Sequence, residues 1–405
     1  MTRETDDWGR RLGRSMSKVD VPPSTVDVVD VVRAARARIR RRYAVGAATL
    51  ATLALLAAPT ALGGWRGYVE GGSATGGPPG PPWRGQGTCR VSPLPLPGGV
   101  VLTGLTGMDP DGRYLSGDGT RGDTQVSLRW DSGVPKVLPV SAVSSSSSGV
   151  NASGVVVGSA ERPDGTWYPW VYRDGAVDIL PSPDGYPNFV QPLGINASGD
   201  IAGTAEDPTF RDVVAVRWPS DRPGTVEVLP TTTLMGTTLR AEVAGVADDG
   251  SVVGSVGGLD HPVPYRWDPA GLGSVLALPA DATSGWVAGV RGWWAYGGVT
   301  LAGQDGSRDG DRAQRPVRWS LRTGQVEFVA PDLRGAALVG NSGGDAVLDG
   351  LPALVRAGRG VPLDVLTAGS VPQPLSVDEA GATVAGIDVG GLAQGGRRTP
   401  VVWRC

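Results

Sequence analysis

Residues 193–230 read LGINASGDIAGTAEDPTFRDVVAVRWPSDRPGTVEVLP and decide the fold, because they hold short strand segments separated by turns. Asn196 and Gly199 are typical of a tight turn, since asparagine begins such turns and glycine tolerates a positive φ. Residues 213–218 are β-branched and aromatic, and residues 225–229 alternate apolar with polar side chains. With the strand that ends at 196 and a short second strand at 200–203, this stretch predicts four antiparallel strands, one blade of a β-propeller.

The turn and second strand of this stretch recur along the C-terminal part of the chain. An aromatic residue ends the third strand after every recurrence except the sixth, which has Val355. A lone blade leaves part of its sheet uncovered, so the copies must stack to bury a continuous core. The sequence therefore predicts an all-β fold, a seven-bladed β-propeller of four-stranded blades. The recurrences are residues 112–117, 154–158, 199–203, 250–254, 298–303, 344–350 and 381–386.

The third-strand aromatic residues are predicted to pack between neighbouring blades. A ligand-binding residue rarely repeats on every blade, whereas a buried ring supplies much of a small sheet's stability. Two interpretations stay open for Trp286, Trp293 and Trp294, which do not fit the repeat position: core packing, or an aromatic patch exposed on one face. The repeat-core aromatics are Trp130, Tyr172, Trp218, Trp267, Trp319 and Trp403.

The two cysteines, Cys89 and Cys405, lie at the two ends of the predicted ring. The last copy ends after its third strand, and residues 89–97 resemble the fourth strands of other copies. We therefore expect the N-terminal strand to complete the last blade and the cysteines to form a disulfide there. Closing so long a loop would stabilise the fold by roughly 5 kcal/mol in the simple chain-entropy model. Two unpaired thiols are the alternative.

The N-terminal part has a different composition. Residues 1–42 carry 11 basic and 6 acidic residues, and residues 25–42 place valine, alanine and isoleucine at helical spacing. Residues 43–65 carry no charge, and a helix of that length covers about 34 Å, enough for a bilayer core. Basic residues before this segment predict a cytoplasmic N-terminus. They are Arg33, Arg36, Arg38, Arg40, Arg41 and Arg42. A cleaved signal peptide is the alternative.

These features predict four parts of the chain. They are a cytoplasmic stub with a basic helix (1–42), a transmembrane helix (43–65), a linker rich in glycine and proline (66–88) and the propeller (89–405). The predicted location is the plasma membrane, crossed once, with the propeller extracytoplasmic, where disulfides persist. A net charge of −3 gives no general attraction to nucleic acid, so no nucleic-acid partner is expected.

The sequence shows no catalytic arrangement, and no cofactor or metal site is predicted. The single histidine, His261, lies in a loop and cannot build a zinc site or a Ser-His-Asp triad. Residues 305–311 hold three aspartates that suit calcium but lack the spacing of an EF-hand loop. Asn151 and Asn196 match glycosylation acceptors. Both belong to the repeat's own turn, which explains them better.

The pattern Gly-Ile-Asn-x-x-Gly-x-Ile-x-Gly at 194–203, followed by an apolar strand ending in Trp218, resembles the HAF-type extracellular repeat. That repeat is related in pattern to kelch and other propeller repeats, and the resemblance covers residues 100–405. It implies a propeller and names no activity. Residues 26–42 and the Ala/Leu-rich segment after them are similar to single-pass membrane proteins that accompany extracytoplasmic-function sigma factors in high-GC bacteria. The His and Cys ligands of zinc-type anti-sigma proteins are absent.

The sequence supports three functional hypotheses, each of a different class. The first is a membrane-anchored extracytoplasmic propeller that binds or senses a protein or glycan without catalysis. In its signalling version, residues 1–42 dock a cytoplasmic regulatory partner, whereas contact with lipid headgroups is the simpler reading of the basic helix. The second is a hydrolase or lyase acting on cell-envelope glycans, which needs Asp, Glu, Arg and Tyr side chains at one mouth of the funnel. A purely structural envelope protein is the third.

Overall fold

The computed structural model describes residues 89–405 apart from 188, 208, 210–211, 232, 235–236, 258–261, 303–313 and 392–395. The described residues form strands and turns, and none of them belongs to a helix long and apolar enough to cross a membrane. The predicted basic helix, transmembrane helix and linker lie outside the described residues. The fold is therefore all-β over the part of the chain that the structure describes.

The strands are numbered in chain order, and all but two belong to four-stranded antiparallel units. Unit 1 contains β2 (Val100–Met108), β3 (Tyr114–Arg121), β4 (Thr124–Asp131) and β5 (Val134–Val137). Unit 2 contains β6 (Ser144–Val150), β7 (Val156–Glu161), β8 (Trp167–Arg173) and β9 (Ala176–Ile179). Unit 3 contains β10 (Phe189–Ile195), β11 (Ile201–Glu206), β12 (Val213–Trp218) and β13 (Glu227–Leu229). Unit 4 contains β16 (Ala241–Val246), β17 (Val252–Val256), β18 (Val263–Trp267) and β19 (Gly273–Val275).

The later units follow the same order. Unit 5 contains β20 (Ala282–Arg291), β21 (Trp294–Leu301), β22 (Gln314–Ser320) and β23 (Val326–Phe328). Unit 6 contains β24 (Ala337–Gly340), β25 (Ala346–Leu348), β26 (Ala353–Arg356) and β27 (Arg359–Pro362). Unit 7 contains β28 (Val371–Val377), β29 (Thr383–Val389), β30 (Arg398–Arg404) and β1 (Arg90–Pro93). A separate hairpin of β14 (Thr233–Leu234) and β15 (Thr237–Thr238) lies between units 3 and 4.

Neighbouring units pack through their first strands. Each first strand contacts the strands of an adjacent unit, and the circuit closes where β2 contacts β28, β29 and β30. The apolar clusters lie between units, as where Ala202 and Leu229 of unit 3 pack with Trp267 of unit 4. Units 1 and 2 are also joined in one sheet by a single parallel pair, Gln125 and Ser144. Small four-stranded sheets packed in a closed circuit form a β-propeller.

The two ends of the described chain meet in unit 7. Strand β1 pairs antiparallel with β30, with Arg90 opposite Arg404, and so supplies the fourth strand that the last copy lacks. Cys89 and Cys405 form the predicted disulfide, with their Cα atoms 4.3 Å apart. The backbone of Cys89 also bonds to unit 6, since its N–H donates to the Pro362 carbonyl at 3.0 Å.

The position predicted for the fifth recurrence, residues 298–303, is wrong, because in the structure its turn and second strand lie earlier in the chain. In unit 5 the residue that faces Val317 is Gly297, which corresponds to Gly203 facing Val216 in unit 3. The turn of unit 5 is therefore formed by Gly292, with a φ of 57°, and Trp293. The glycines at 297, 298 and 303 imitate the spacing of the repeat, while the real turn lacks its asparagine.

Candidate functional site

The repeat-position aromatics are buried, with exposures from 0 to 3%. Each of the five tryptophans donates its indole N–H to a carbonyl that follows the last strand of the preceding unit, at 2.7–2.8 Å. These rings therefore join neighbouring units and offer no surface to a ligand. The bonds run from Trp130 to Pro95, Trp218 to Pro181, Trp267 to Pro230, Trp319 to Ala277 and Trp403 to Asp364.

An arginine of the third strand joins units in the opposite direction. In units 1, 3, 4, 5 and 6 its guanidinium donates to a backbone carbonyl of the following unit. Arg217, for example, donates to the Gly250 carbonyl at 3.1 Å. An Arg-Trp pair in the third strand of four copies is the sequence signal for this feature, although the repeat pattern alone does not predict the bond between units. The arginines are Arg129, Arg217, Arg266, Arg318 and Arg356.

The turns after the first strands bond to one another around the ring, and we call the side that they form the turn face. The Asn151 amide donates to the Asn196 carbonyl at 3.1 Å, and the Asn196 amide donates to the Ala247 carbonyl at 2.9 Å. Both asparagine side chains are buried. Their role in the turn, which the sequence suggested, is thus extended to holding adjacent units together.

Unit 5 departs from this arrangement. Arg291 occupies the position of the turn asparagine and reaches units that do not adjoin unit 5. One nitrogen, Nη2, donates to the Met108 carbonyl of unit 1 at 2.9 Å and to Ser376 Oγ of unit 7 at 2.8 Å. The other, Nη1, is buried and makes no hydrogen bond to any described residue. Arg291 therefore spans the central axis at the turn face.

Carboxylates surround this arginine. Asp109, Asp378 and Glu379 interact with Arg291 electrostatically, and Asp248 interacts with Glu379. Burial raises the pKa of Asp109 and of Asp248, and it lowers the pKa of Arg291. Burial also raises the pKa of the Tyr296 phenol to about 12. We call these residues with Ser376 the central cluster: Arg291, Ser376, Asp109, Asp248, Asp378, Glu379 and Tyr296.

Two tryptophans lie beside the central cluster. Trp293 forms half of the unit 5 turn, and the Arg322 guanidinium lies 4.1 Å from the centre of its ring. The Arg318 guanidinium lies 4.1 Å from the ring of Trp294, which packs against a buried apolar cluster. Trp293 and Trp294 are both half-buried. A planar aromatic face beside a guanidinium is a common recognition surface, because it offers stacking and charge together.

Trp286 lies elsewhere on unit 5, half-buried on β20, with its indole N–H 3.4 Å from Gln314 Oε1. His261, the aspartates at 305–311 and the basic residues at 33–42 lie outside the described residues. Among the described residues, no group of three or more His, Cys, Asp or Glu side chains is arranged to hold a metal ion.

The sequence matches no protein-family model and no curated protein. Solved structures with a similar fold include an oligogalacturonate lyase from Vibrio parahaemolyticus, with TM-score 0.54, 12% identity and coverage of 78% of this chain and 93% of that one. A putative TolB from Agrobacterium tumefaciens gives TM-score 0.40 and 15% identity, covering 55% of this chain and 78% of that one. The β-propeller domain of the trilobed protease from Pyrococcus furiosus gives TM-score 0.37 and 12% identity, covering 56% of this chain and 67% of that one. Identities this low show the propeller fold alone.

Proposed function

We propose that this chain is a non-catalytic binding module, a seven-bladed propeller built from units 1–7. The proposal places the propeller outside the plasma membrane, on an anchor at residues 43–65, with the turn face as its binding face. The uncharged run of 43–65 and the arginines before it support the anchor. The ligand is an extracytoplasmic protein or glycan.

The observation that carries the proposal is the departure of unit 5 from the repeat at 291–294. The five repeat-position tryptophans each bond to the preceding unit, so assembly of the ring accounts for them. Trp293 and Arg322 are not needed for such bonds. They form a stacked aromatic and cationic pair at the turn face, and Arg322 is exposed.

Substitution of the turn tryptophan tests this proposal. The full chain is probed against an array of cell-envelope glycans and extracytoplasmic peptides, and the ligand that it binds is titrated against variants. Trp293→Ala is expected to weaken binding about tenfold or more, since stacking on an indole is a major contact. Trp286→Ala is the matched control, because it removes a half-buried ring from the same unit away from the turn, and it should bind as wild type. Equal loss in both variants, or binding unchanged in Trp293→Ala, would contradict the proposal.

The second candidate function is hydrolysis or cleavage of envelope glycans, and the central cluster favours it. Acidic, guanidinium and phenol groups meet at one end of the axis, as that chemistry requires, and burial raises the pKa of Asp248 above its ordinary value. Asp248→Asn should then abolish release of reducing ends from envelope polysaccharide. Turnover equal to that of wild type would remove this candidate.

The cytoplasmic extension of the proposal concerns residues 1–42. Their basic helix is proposed to dock a regulatory partner through its valine face. A two-hybrid screen with residues 1–42 as bait should recover that partner, and a blank screen would leave the helix as part of the anchor alone.

A further inference from the structure

The arginines that join the units differ in one respect, which is how their charge is neutralised. Arg217 is paired with Glu227 at 2.6 Å, Arg266 with Asp249 at 2.7 Å, and Arg356 with Asp345 at 3.0 Å. Arg318 is likewise paired with Glu327. In four units, therefore, a carboxylate of the same unit occupies the guanidinium that donates to the next unit.

Unit 1 lacks this carboxylate. Its arginine, Arg129, donates from Nη1 to the Gly154 carbonyl at 3.0 Å, while its Nε is buried and makes no hydrogen bond to any described residue. Across β4 and β5, the residue opposite Arg129 is Lys136. Units 3 and 5 place Glu227 and Glu327 at the corresponding cross-strand position.

The second carboxylate position is also changed in unit 1. In unit 6, Asp345 follows the turn glycine Gly344 and holds Arg356, whereas Arg113 follows Gly112 in unit 1. Asp131, which interacts electrostatically with Arg129, is bonded to Arg113 at 2.9 and 3.3 Å. Unit 1 thus has a lysine, Lys136, at the cross-strand position where units 3 and 5 have the neutralising glutamate.

Two tyrosines lie against the Arg129 guanidinium. It lies 5.3 Å from the ring centre of Tyr114 and 5.3 Å from that of Tyr172. Tyr172 stands where the other aromatic copies have tryptophan, and its Oη accepts a hydrogen bond from Lys136 Nζ at 3.0 Å. Gly154 leaves room for this sandwich, because a Cβ there would lie 2.8 Å from the Tyr114 ring.

A cavity opens beside this sandwich on the turn face, between units 1, 2 and 3. Its volume is ≈ 440 Å³, and its lining combines Arg129 and Tyr172 with Arg173, Asp174 and the exposed serines Ser153, Ser198 and Ser220. Among the lining residues, the two arginines Arg129 and Arg173 outnumber the single acid Asp174. Serine hydroxyls suit the polar remainder of a small ligand.

From these observations we infer that the cavity binds a ligand carboxylate, which pairs with the Arg129 guanidinium as Glu227 pairs with that of Arg217. The planar guanidinium presents parallel N–H groups that match two carboxylate oxygens. The repeat itself shows that this guanidinium position accepts a carboxylate, since it does so in units 3, 4 and 5. The inference rests on the proposed binding function but uses residues of units 1 and 2, far along the chain from Trp293.

The first part of the test asks whether the wild-type protein binds small carboxylates. The full-length protein is titrated calorimetrically with D-glucuronate and with N-acetylglutamate amide, which separate a sugar acid from a peptide-type carboxylate. D-glucose and N-acetylglutamine amide are their uncharged counterparts, and inorganic phosphate is the competing oxyanion. Wild type should bind at least one of the carboxylates, and neither uncharged counterpart.

The decisive variant is Lys136→Glu, which recreates the arrangement of units 3 and 5 and should weaken carboxylate binding about tenfold or more. Lys136→Gln removes the same cation without adding an acid and should stay within about threefold of wild type, as expected for loss of a single cation beside the site. Thermal unfolding of both variants verifies the fold. The inference is overturned if no carboxylate binds, if phosphate binds more tightly than either, or if Lys136→Glu binds as wild type. If the carboxylate inference fails in one of these ways but Trp293-dependent binding is still measured, the binding-module proposal is still supported.

Discussion

At the scale of single residues, the most informative side chain outside the turn face is Asp118 on β3. It is 5% exposed and accepts hydrogen bonds from Ser146 Oγ at 2.7 Å, Ser147 N at 2.8 Å and Ser147 Oγ at 2.9 Å. Burial nevertheless raises its pKa from 3.8 to about 6. The serine-rich strand β6 and this acid give units 1 and 2 a polar interface.

This residue gives the fold a pH dependence with a definite sign. The folded state disfavours the ionised carboxylate, so its stabilising contribution is full below the unfolded pKa of 3.8 and is lost as the pH rises through about 6. The free energy of unfolding of wild type, relative to Asp118→Asn, should therefore rise by up to about 3 kcal/mol from pH 7 to pH 4. Urea unfolding at a series of pH values measures this. Asp123→Asn, an exposed acid of the same unit, is the control, and curves for Asp118→Asn parallel to wild type would refute the prediction.

At the scale of strands, close approach of the neighbouring backbone explains why units 3, 4 and 5 have a glycine in the middle of the second strand. The first strand of unit 3 carries an irregularity between Pro192 and Gly194, and a Cβ at Gly203 would lie 2.0 Å from the Gln191 carbonyl oxygen. Gly254 and Gly297 meet the same obstacle, at 2.0 and 1.9 Å. The glycine is thus required by the backbone of the neighbouring strand.

Gly203→Ala should therefore destabilise the protein by about 3 kcal/mol or more, because the carbonyl must move and its hydrogen bonds with it. Gly104→Ala on β2 is the matched control, since a Cβ there would meet no atom within 4 Å, and its effect should stay below about 1 kcal/mol. Chemical unfolding of both variants gives the comparison. Similar losses of stability in the two variants would contradict this prediction, because the glycine would then matter for its backbone conformation and not for the close approach of the facing carbonyl.

The sequence was sufficient for features that repeat and insufficient for features that depend on a facing unit. Strand order, the third-strand rings and the closing pair β1 and β30 follow from periodicity, because each copy must bury the same face. The register predicted for unit 5 is wrong for two reasons. Gly298 and Gly303 have nearly the glycine spacing of the repeat, and the turn at Gly292 and Trp293 lacks the asparagine of the repeat. The roles of Arg291 and Arg129 do not follow from the repeat pattern, because each depends on the residue that faces it. Ser376 faces Arg291 across the axis, and Lys136 faces Arg129 on the neighbouring strand.

At the scale of the whole molecule, the start of the described chain contributes three contacts to the closure of the ring. Strand β1 pairs with β30, the Cys89 N–H and carbonyl bond to Pro362 and Asp364 of the unit 6 end, and the disulfide joins Cys89 to Cys405. The Trp130 indole adds a fourth link, since it bonds to the carbonyl of Pro95 just after β1. One short segment therefore joins units 6, 7 and 1.

Because the strand pairing remains when the disulfide is removed, the double variant Cys89→Ser, Cys405→Ser should still fold with the same circular dichroism spectrum. Its free energy of unfolding should fall by up to roughly 5 kcal/mol, since the cross-linked residues are 316 apart in sequence and the bond restricts the unfolded chain. Denaturant unfolding under oxidising conditions measures this loss, and wild type in reductant is the control for the buried serine at position 89. Reduced wild type and the double variant should then unfold at similar denaturant concentrations. If both were as stable as the oxidised protein, the paired strand alone would hold the ring, and the disulfide would have no part in its stability.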